Sequence, residues 1–187
     1  MASSKREQVL KCARELFERE GFHATGVDRI LEKAGVAKMT LYNNFGSKDQ
    51  LIVEVLNQSS EIMIGRMKEH ALAASNDSYE QILAIFRTLG DSYQDPDFCG
   101  CMFQAAVAEF PDHDSAPAQA ALAHHRRLTE IFLELCTKAG LKNPEELSRK
   151  LALLSSGASC VARQTKARTP ADDALCIAEI LLERASN

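Results

Sequence analysis

Lys38, Thr40, Tyr42 and Asn43 fall in one short run and bring together an ammonium, two hydroxyls and a carboxamide. Groups of this kind hydrogen-bond to phosphate oxygens and base edges, and Met39 among them offers an apolar tip for a thymine methyl. Leu41 and Phe45, four residues apart, share the inward side of a helix drawn through 38–44, which leaves the polar set outside. Just beyond, Ser47 with Gln50 three residues on has the spacing of a helix cap. The free N–H groups of that helix start, with the Lys48 ammonium, make a site suited to a phosphate. A solvated surface helix would carry the same residue types, so what precedes the run matters.

Other residues with chemical potential point less clearly. Cys99-Gly100-Cys101 stands at the start of a predicted helix, where the dipole favours a thiolate. A disulfide between residues two apart is strained, so sensing there would run through sulfenic acid, an adduct or an intersubunit bridge. The other reading is two small residues at a tight corner. His113 lies between Asp112 and Asp114, and His124 adjoins His125; neighbours on a helix point about 100° apart, so no metal site is expected. No Ser-His-Asp spacing, Gly-rich phosphate loop or His-Glu-x-x-His is present. An enzyme is therefore not expected, nor a cofactor.

The elements that must hold these residues are helical. Strand-like alternation is nearly absent, whereas helix starts recur at Thr25 with Asp28, Ser47 with Gln50, Ser78 with Gln81, Asn143 with Glu146 and Thr169 with Asp172. Pro144 and Pro170 follow their caps, and Gly21, Gly35 and Gly140 mark stops. The reading is an all-α chain of about nine helices over 4–20, 27–34, 38–44, 48–74, 78–94, 101–110, 116–139, 144–168 and 170–185. In the loop 95–101, Pro96 and Gly100 flank a short, weakly anchored segment, which with helix 101–110 is the candidate moving part. A shift from short to long helices divides it into 1–47 and 48–187.

Composition agrees with a folded chain: 187 residues, 45% hydrophobic, net charge −4. The first fifty residues are net basic and the rest net acidic, placing any anionic partner at the amino-terminal quarter. The amino-terminus has no apolar run of a secretory signal and lacks a long basic arm. The longest apolar stretch, 151–162, is too short to span a bilayer, so a cytoplasmic protein with reduced thiols is expected.

In front of the 38–44 helix, Val9, Leu10, Ala13, Leu16 and Phe17 form an apolar stripe that stops at Gly21. Val27, Ile30, Leu31 and Ala34 form a second, and Gly35 turns the chain into the third. Two short helices joined through a glycine turn make a helix-turn-helix. The runs Gly21-Phe22-His23-Ala24-Thr25-Gly26-Val27, Ala34 to Phe45, and Ser47-Lys48-Asp49-Gln50-Leu51 resemble the TetR family of bacterial transcriptional regulators. Gly100-Cys101-Met102-Phe103 with Ala105, Glu109 and Phe110 is similar to one of its subgroups. The resemblance implies that Thr25, Tyr42 and Lys48 contact phosphates and that Lys38, Met39, Thr40 and Asn43 reach base edges. Ala37 departs from the usual Ser or Thr cap, and Met39 from the usual small residue.

For residues 48–187 the resemblance implies a helical domain for effector binding and dimerisation. The partners implied are a palindromic double-stranded operator, a small-molecule effector and a second copy of the chain. Apolar stripes of the last two helices could be core or interface; the resemblance assigns Leu151, Leu154, Ala158, Val161, Ile177 and Leu181 to the interface. Met63, Met67, Phe86, Tyr93, Phe103, Phe110 and Phe132 could wall a pocket for an apolar or aromatic ligand. The expected function is a homodimeric repressor released by such a ligand. A thiol or electrophile sensor acting through Cys99 and Cys101, and a helical protein–protein adaptor, stand as alternatives.

Overall fold

The structure, a computed structural model, describes residues 4–186. Residues 1–3, on which the reading of the amino-terminus partly rests, lie outside the described residues. Among the described residues there are nine helices and no strand. They are α1 (Lys5–Glu20), α2 (Val27–Ala34), α3 (Lys38–Phe45), α4 (Lys48–Ala74), α5 (Ser78–Tyr93), α6 (Met102–Glu109), α7 (Ala116–Lys138), α8 (Pro144–Thr165) and α9 (Thr169–Ser186). The expected all-α architecture is therefore found, with helix boundaries displaced by a few residues at most.

Local chemistry explains the ends. Ser4 and Glu7 form a reciprocal capping box at α1. Gly35 ends α2 in the left-handed conformation (φ 63°), which frees the chain to turn at once into α3. Four expected caps depart. Gly26, not Thr25, precedes α2; Asp77, not Ser78, accepts the Tyr79 amide at α5; Asn143 precedes α8 without a side-chain cap bond; and Thr169 is the first residue of α9, not the one before it. Helix α8 ends at Thr165, short of the expected 168, because Lys166 turns left-handed (φ 55°) and its N–H closes back on the Ala162 carbonyl.

The chain divides into two compact units. The first combines residues up to Glu61 with Cys101–His124. Its core gathers Leu16, Phe17, Phe22, Ile30, Leu41, Phe45, Leu51 and Leu56 with Met102, Phe103 and Ala106. The second combines Ile62–Gly100 with the chain from His125 onward. Phe86 and Phe132 stack there at 5.8 Å among Ile82, Leu151 and Leu182.

In the second unit the loop after α5 is fastened, contrary to the expectation of a weakly anchored segment. Lys166 Nζ donates to the Phe98 carbonyl at 3.0 Å, and the Phe98 ring packs on Tyr93 at 5.0 Å. Arg168 bridges Asp91 at 2.6 Å and Asp172 at 3.1 Å. Gly100 (φ 94°) lies so close beneath Arg163 that a β-carbon would overlap that side chain and come within 3.2 Å of its Cβ.

Candidate nucleic-acid interface

Helices α1, α2 and α3 pack through Phe17, Ile30, Leu41 and Phe45, all buried, so the outer face of α3 is fixed by what its inner face buries. On that outer face Lys38 and Asn43 are exposed, Met39 is 66% exposed and Tyr42 40%, while Thr40 is half-buried. Lys38 stands 3.6 Å from the Asp28 carboxylate, a solvent-screened contact that a phosphate can displace. Asn44 is turned to its own helix, donating to the Thr40 carbonyl at 2.6 Å, which leaves Asn43 as the outward carboxamide. Ala37 caps α3 without a side-chain bond, as its methyl requires.

At the start of α4 the Ser47 hydroxyl accepts the Gln50 amide at 3.1 Å. Lys48, half-buried, stands 3.5 Å from the His23 carbonyl oxygen. Thr25 differs from the expectation. It is 0% exposed, and its hydroxyl donates to the Gly21 carbonyl at 2.7 Å. In this conformation it fixes the turn between α1 and α2 and has no surface to offer a phosphate.

Sequence reasoning missed what holds that turn from outside. The Glu109 carboxylate accepts the Phe22 amide at 3.0 Å and the His23 amide at 2.6 Å. The His23 Nε2 lies 2.7 Å from the Glu109 carbonyl, and its ring packs on Phe110 at 4.7 Å. One signal was present: a carboxylate on the last residue of a helix opposes the dipole and needs another reason to be there.

The remaining expected residues are dispersed. Phe110 packs against Phe22 and His23 rather than lining a ligand cavity, and Phe103 stacks on buried His124 at 3.6 Å. Both belong to the first unit, whereas Met63, Met67, Phe86, Tyr93 and Phe132 belong to the second. Phe86, Tyr93 and Phe132 are core residues there, Met67 is half-buried against the core, and Met63 is exposed.

Among the interface residues, Leu151 is wholly buried among core side chains of the second unit and is corrected to core. Leu154, Ala158, Val161, Ile177 and Leu181 line an open apolar groove of about 680 Å³ along α8 and α9. Leu153, which the sequence reading passed over, joins them and is 71% exposed. Cys101 precedes α6, but burial pushes its thiol up, outweighing the pull of the Gln104 and Phe103 amides. This reverses the expected thiolate. The Cys99 thiol points to the Asp97 carbonyl at 3.2 Å. Among the described residues no His, Cys, Asp and Glu cluster could hold a metal, and no helix is long and apolar enough to cross a membrane.

Comparison with known proteins places this geometry. The profile of bacterial regulatory proteins of the tetR family matches residues 9–55. The crystal structure of a TetR-family transcriptional regulator from Streptomyces coelicolor is 31% identical and superposes with a TM-score of 0.88, over 98% of this chain and 96% of that one. The HTH-type transcriptional activator FasR of Mycolicibacterium smegmatis is 33% identical over 46% of this chain and 39% of its own length. The HTH-type transcriptional repressor KstR2 of the same species is 31% identical over 45% and 40%. The chain thus spans less than half the length of these two sequence relatives. One is an activator and one a repressor, so the shared segment does not carry the sign of regulation.

Proposed function

Since this chain belongs to the TetR family of transcriptional regulators, we propose that it is a homodimer that binds a palindromic operator and leaves it when a small apolar or aromatic ligand binds. The observation that carries the reading is the outer face of α3. An ammonium, a thioether, a phenol and a carboxamide stand exposed there on a helix whose other side is locked into a core. Lys38, Met39, Thr40 and Asn43 are assigned to base edges, and Tyr42 and Lys48 to phosphates. Thr25 is reassigned from phosphate contact to holding the turn.

The groove on α8 and α9 supports the dimer. Leu153, Val161, Ile177 and Ile180 on these two helices are large apolar residues left exposed on the single chain, and Ala158 and Gly157 in the groove let a second helix pair approach closely. Two copies related by a two-fold axis present two α3 helices to inverted half-sites about 34–36 Å apart. A helical adaptor has no use for the α3 face, and a Cys101 thiol pushed up by burial does not favour thiol sensing. Repressor action and release by the ligand complete the proposal.

Selection of bound duplexes from a random pool, with sizing of the free protein, tests this reading. An inverted repeat bound by a dimer is expected. A stable monomer at micromolar concentration, or selected sequences without two-fold symmetry, would refute it.

A further inference from the structure

The carboxylate of Glu109 receives two adjacent backbone amides, Phe22 and His23, and its own carbonyl faces the His23 ring. Two amides on one carboxylate make a charge-assisted clasp, stronger than neutral bonds. The approach is close enough that a β-carbon at Gly21 would stand 2.9 Å from Oε1, so the glycine at the end of α1 leaves room for the clasp as well as a turn at φ 88°. Phe110, next in the chain, lays its ring against Phe22 and His23. The 21–25 turn is thus gripped from outside by α6 and from within by the Thr25 hydroxyl on Gly21.

Residue 23 links this clasp to the DNA face. Its N–H goes to Glu109, while its carbonyl oxygen accepts from Lys48 Nζ at 3.5 Å. We propose that Glu109 is a positioning residue for DNA binding: by clasping the Phe22 and His23 amides it fixes the His23 carbonyl that rests the Lys48 ammonium where a phosphate meets it. The inference depends on the DNA-binding reading above. It assigns to a side chain of α6, 86 residues from His23 in sequence, control over one phosphate contact.

The test uses the full-length protein and its selected operator, with affinity measured across a salt series for wild type, Glu109→Ala, Glu109→Gln, Lys48→Ala and the Glu109→Ala/Lys48→Ala pair. Glu109→Ala is expected to weaken binding about tenfold. It should also flatten the salt slope by about one, the mark of a lost phosphate contact. Glu109→Gln keeps one acceptor oxygen and should fall between. In the Lys48→Ala background the Glu109→Ala loss should shrink to under about threefold, because the contact it serves is already gone.

A variant that merely folds poorly lowers the active fraction and leaves the slope unchanged. An unchanged slope, or an undiminished loss in the Lys48→Ala background, overturns the proposal. If Glu109→Ala does not fold, as judged by circular dichroism, the same slope comparison on Glu109→Gln decides. Failure of the wild-type protein to bind any duplex is a different result and refutes the DNA-binding reading itself.

Discussion

Replacing Thr25 by Val separates two roles that the family resemblance and the structure assign differently. The two side chains have nearly the same shape, so no cavity opens at a position that is 0% exposed. What disappears is the 2.7 Å bond from the hydroxyl to the Gly21 carbonyl. A buried hydrogen bond contributes about 0.5–1.5 kcal/mol net, and an acceptor left without its donor adds a desolvation cost of about 1–3 kcal/mol. Gly21 is only half-buried, so water relieves part of that cost and about 2 kcal/mol is expected. For a chain of this size that lowers the midpoint of thermal unfolding by about 4–8 °C. Circular dichroism on heating measures the shift, and Thr25→Ser, which keeps the hydroxyl but gives up a buried methyl at about 1 kcal/mol, should recover about half of it. The salt dependence of operator binding supplies the contrast. A residue that only holds the turn leaves the slope unchanged, whereas a phosphate contact lowers it by about one. A Val variant with wild-type stability and a flattened slope would refute the structural role.

Gly100→Ala should cost about 2–4 kcal/mol in urea unfolding, combining positive-φ strain with overlap on Arg163. Gly35→Ala, also at positive φ but with nothing near its β-position, should cost about 1 kcal/mol. Equal losses would contradict the overlap. Leu153→Asp should shift the protein towards monomer in sizing experiments while changing the unfolding of that monomer by less than about 0.5 kcal/mol. Leu151→Ala, inside the core, should instead cost about 2–5 kcal/mol. In the monomeric Leu153→Asp variant, Cys160 and Cys176, exposed on the single chain, should react first with a thiol reagent at neutral pH, and Cys136, whose thiol burial pushes up to about 12, only on unfolding. Because the unfolded thiol ionises near 9.0 and the folded one later, Cys136 should also make stability fall as pH rises from about 9 towards 12. Faster labelling of Cys101 than of Cys160 would contradict the burial argument for that thiol.

The local part of the molecule was legible in the sequence. Helix α3 could be drawn, and its outer face identified, because Leu41 and Phe45 state the inward direction within one turn. Gly35 and Pro144 mark a stop and a start through backbone constraints that act on single residues. Where competing groups lie close together, the reading slipped: Thr25 has the composition of a cap, yet its hydroxyl finds Gly21 behind it. Leu151 and Leu153 show the limit of periodicity. Both are leucines on one helix, and only the packed structure tells which faces a core and which solvent. Only one end of the Glu109 clasp had a signal, the carboxylate at a helix C-terminus; its partners are backbone amides 86 and 87 residues away that carry no side-chain signature. The loop at 95–100 read as loose because Pro and Gly are local signals, while Lys166, which fastens it, comes from much later in the chain.

The two compact units are woven from discontinuous stretches, and α4 and α7 each contribute residues to both. This bears on modular engineering. A chimera joined after residue 47, the natural place to graft a helix-turn-helix onto a foreign sensor, would leave α6 behind, and with it Glu109, Phe110 and Phe103. The transplanted piece would carry Phe22 with Phe17 but without the Phe110 ring, and two amides without their acceptor. The unit of inheritance is therefore a pair of segments, residues up to 61 and residues 101–124, and a recombinant that respects both crossings keeps the reader intact. Within this chain, a single crossover between the turn at 21–25 and α6 keeps the clasp only where the incoming segment supplies a carboxylate at the Glu109 position.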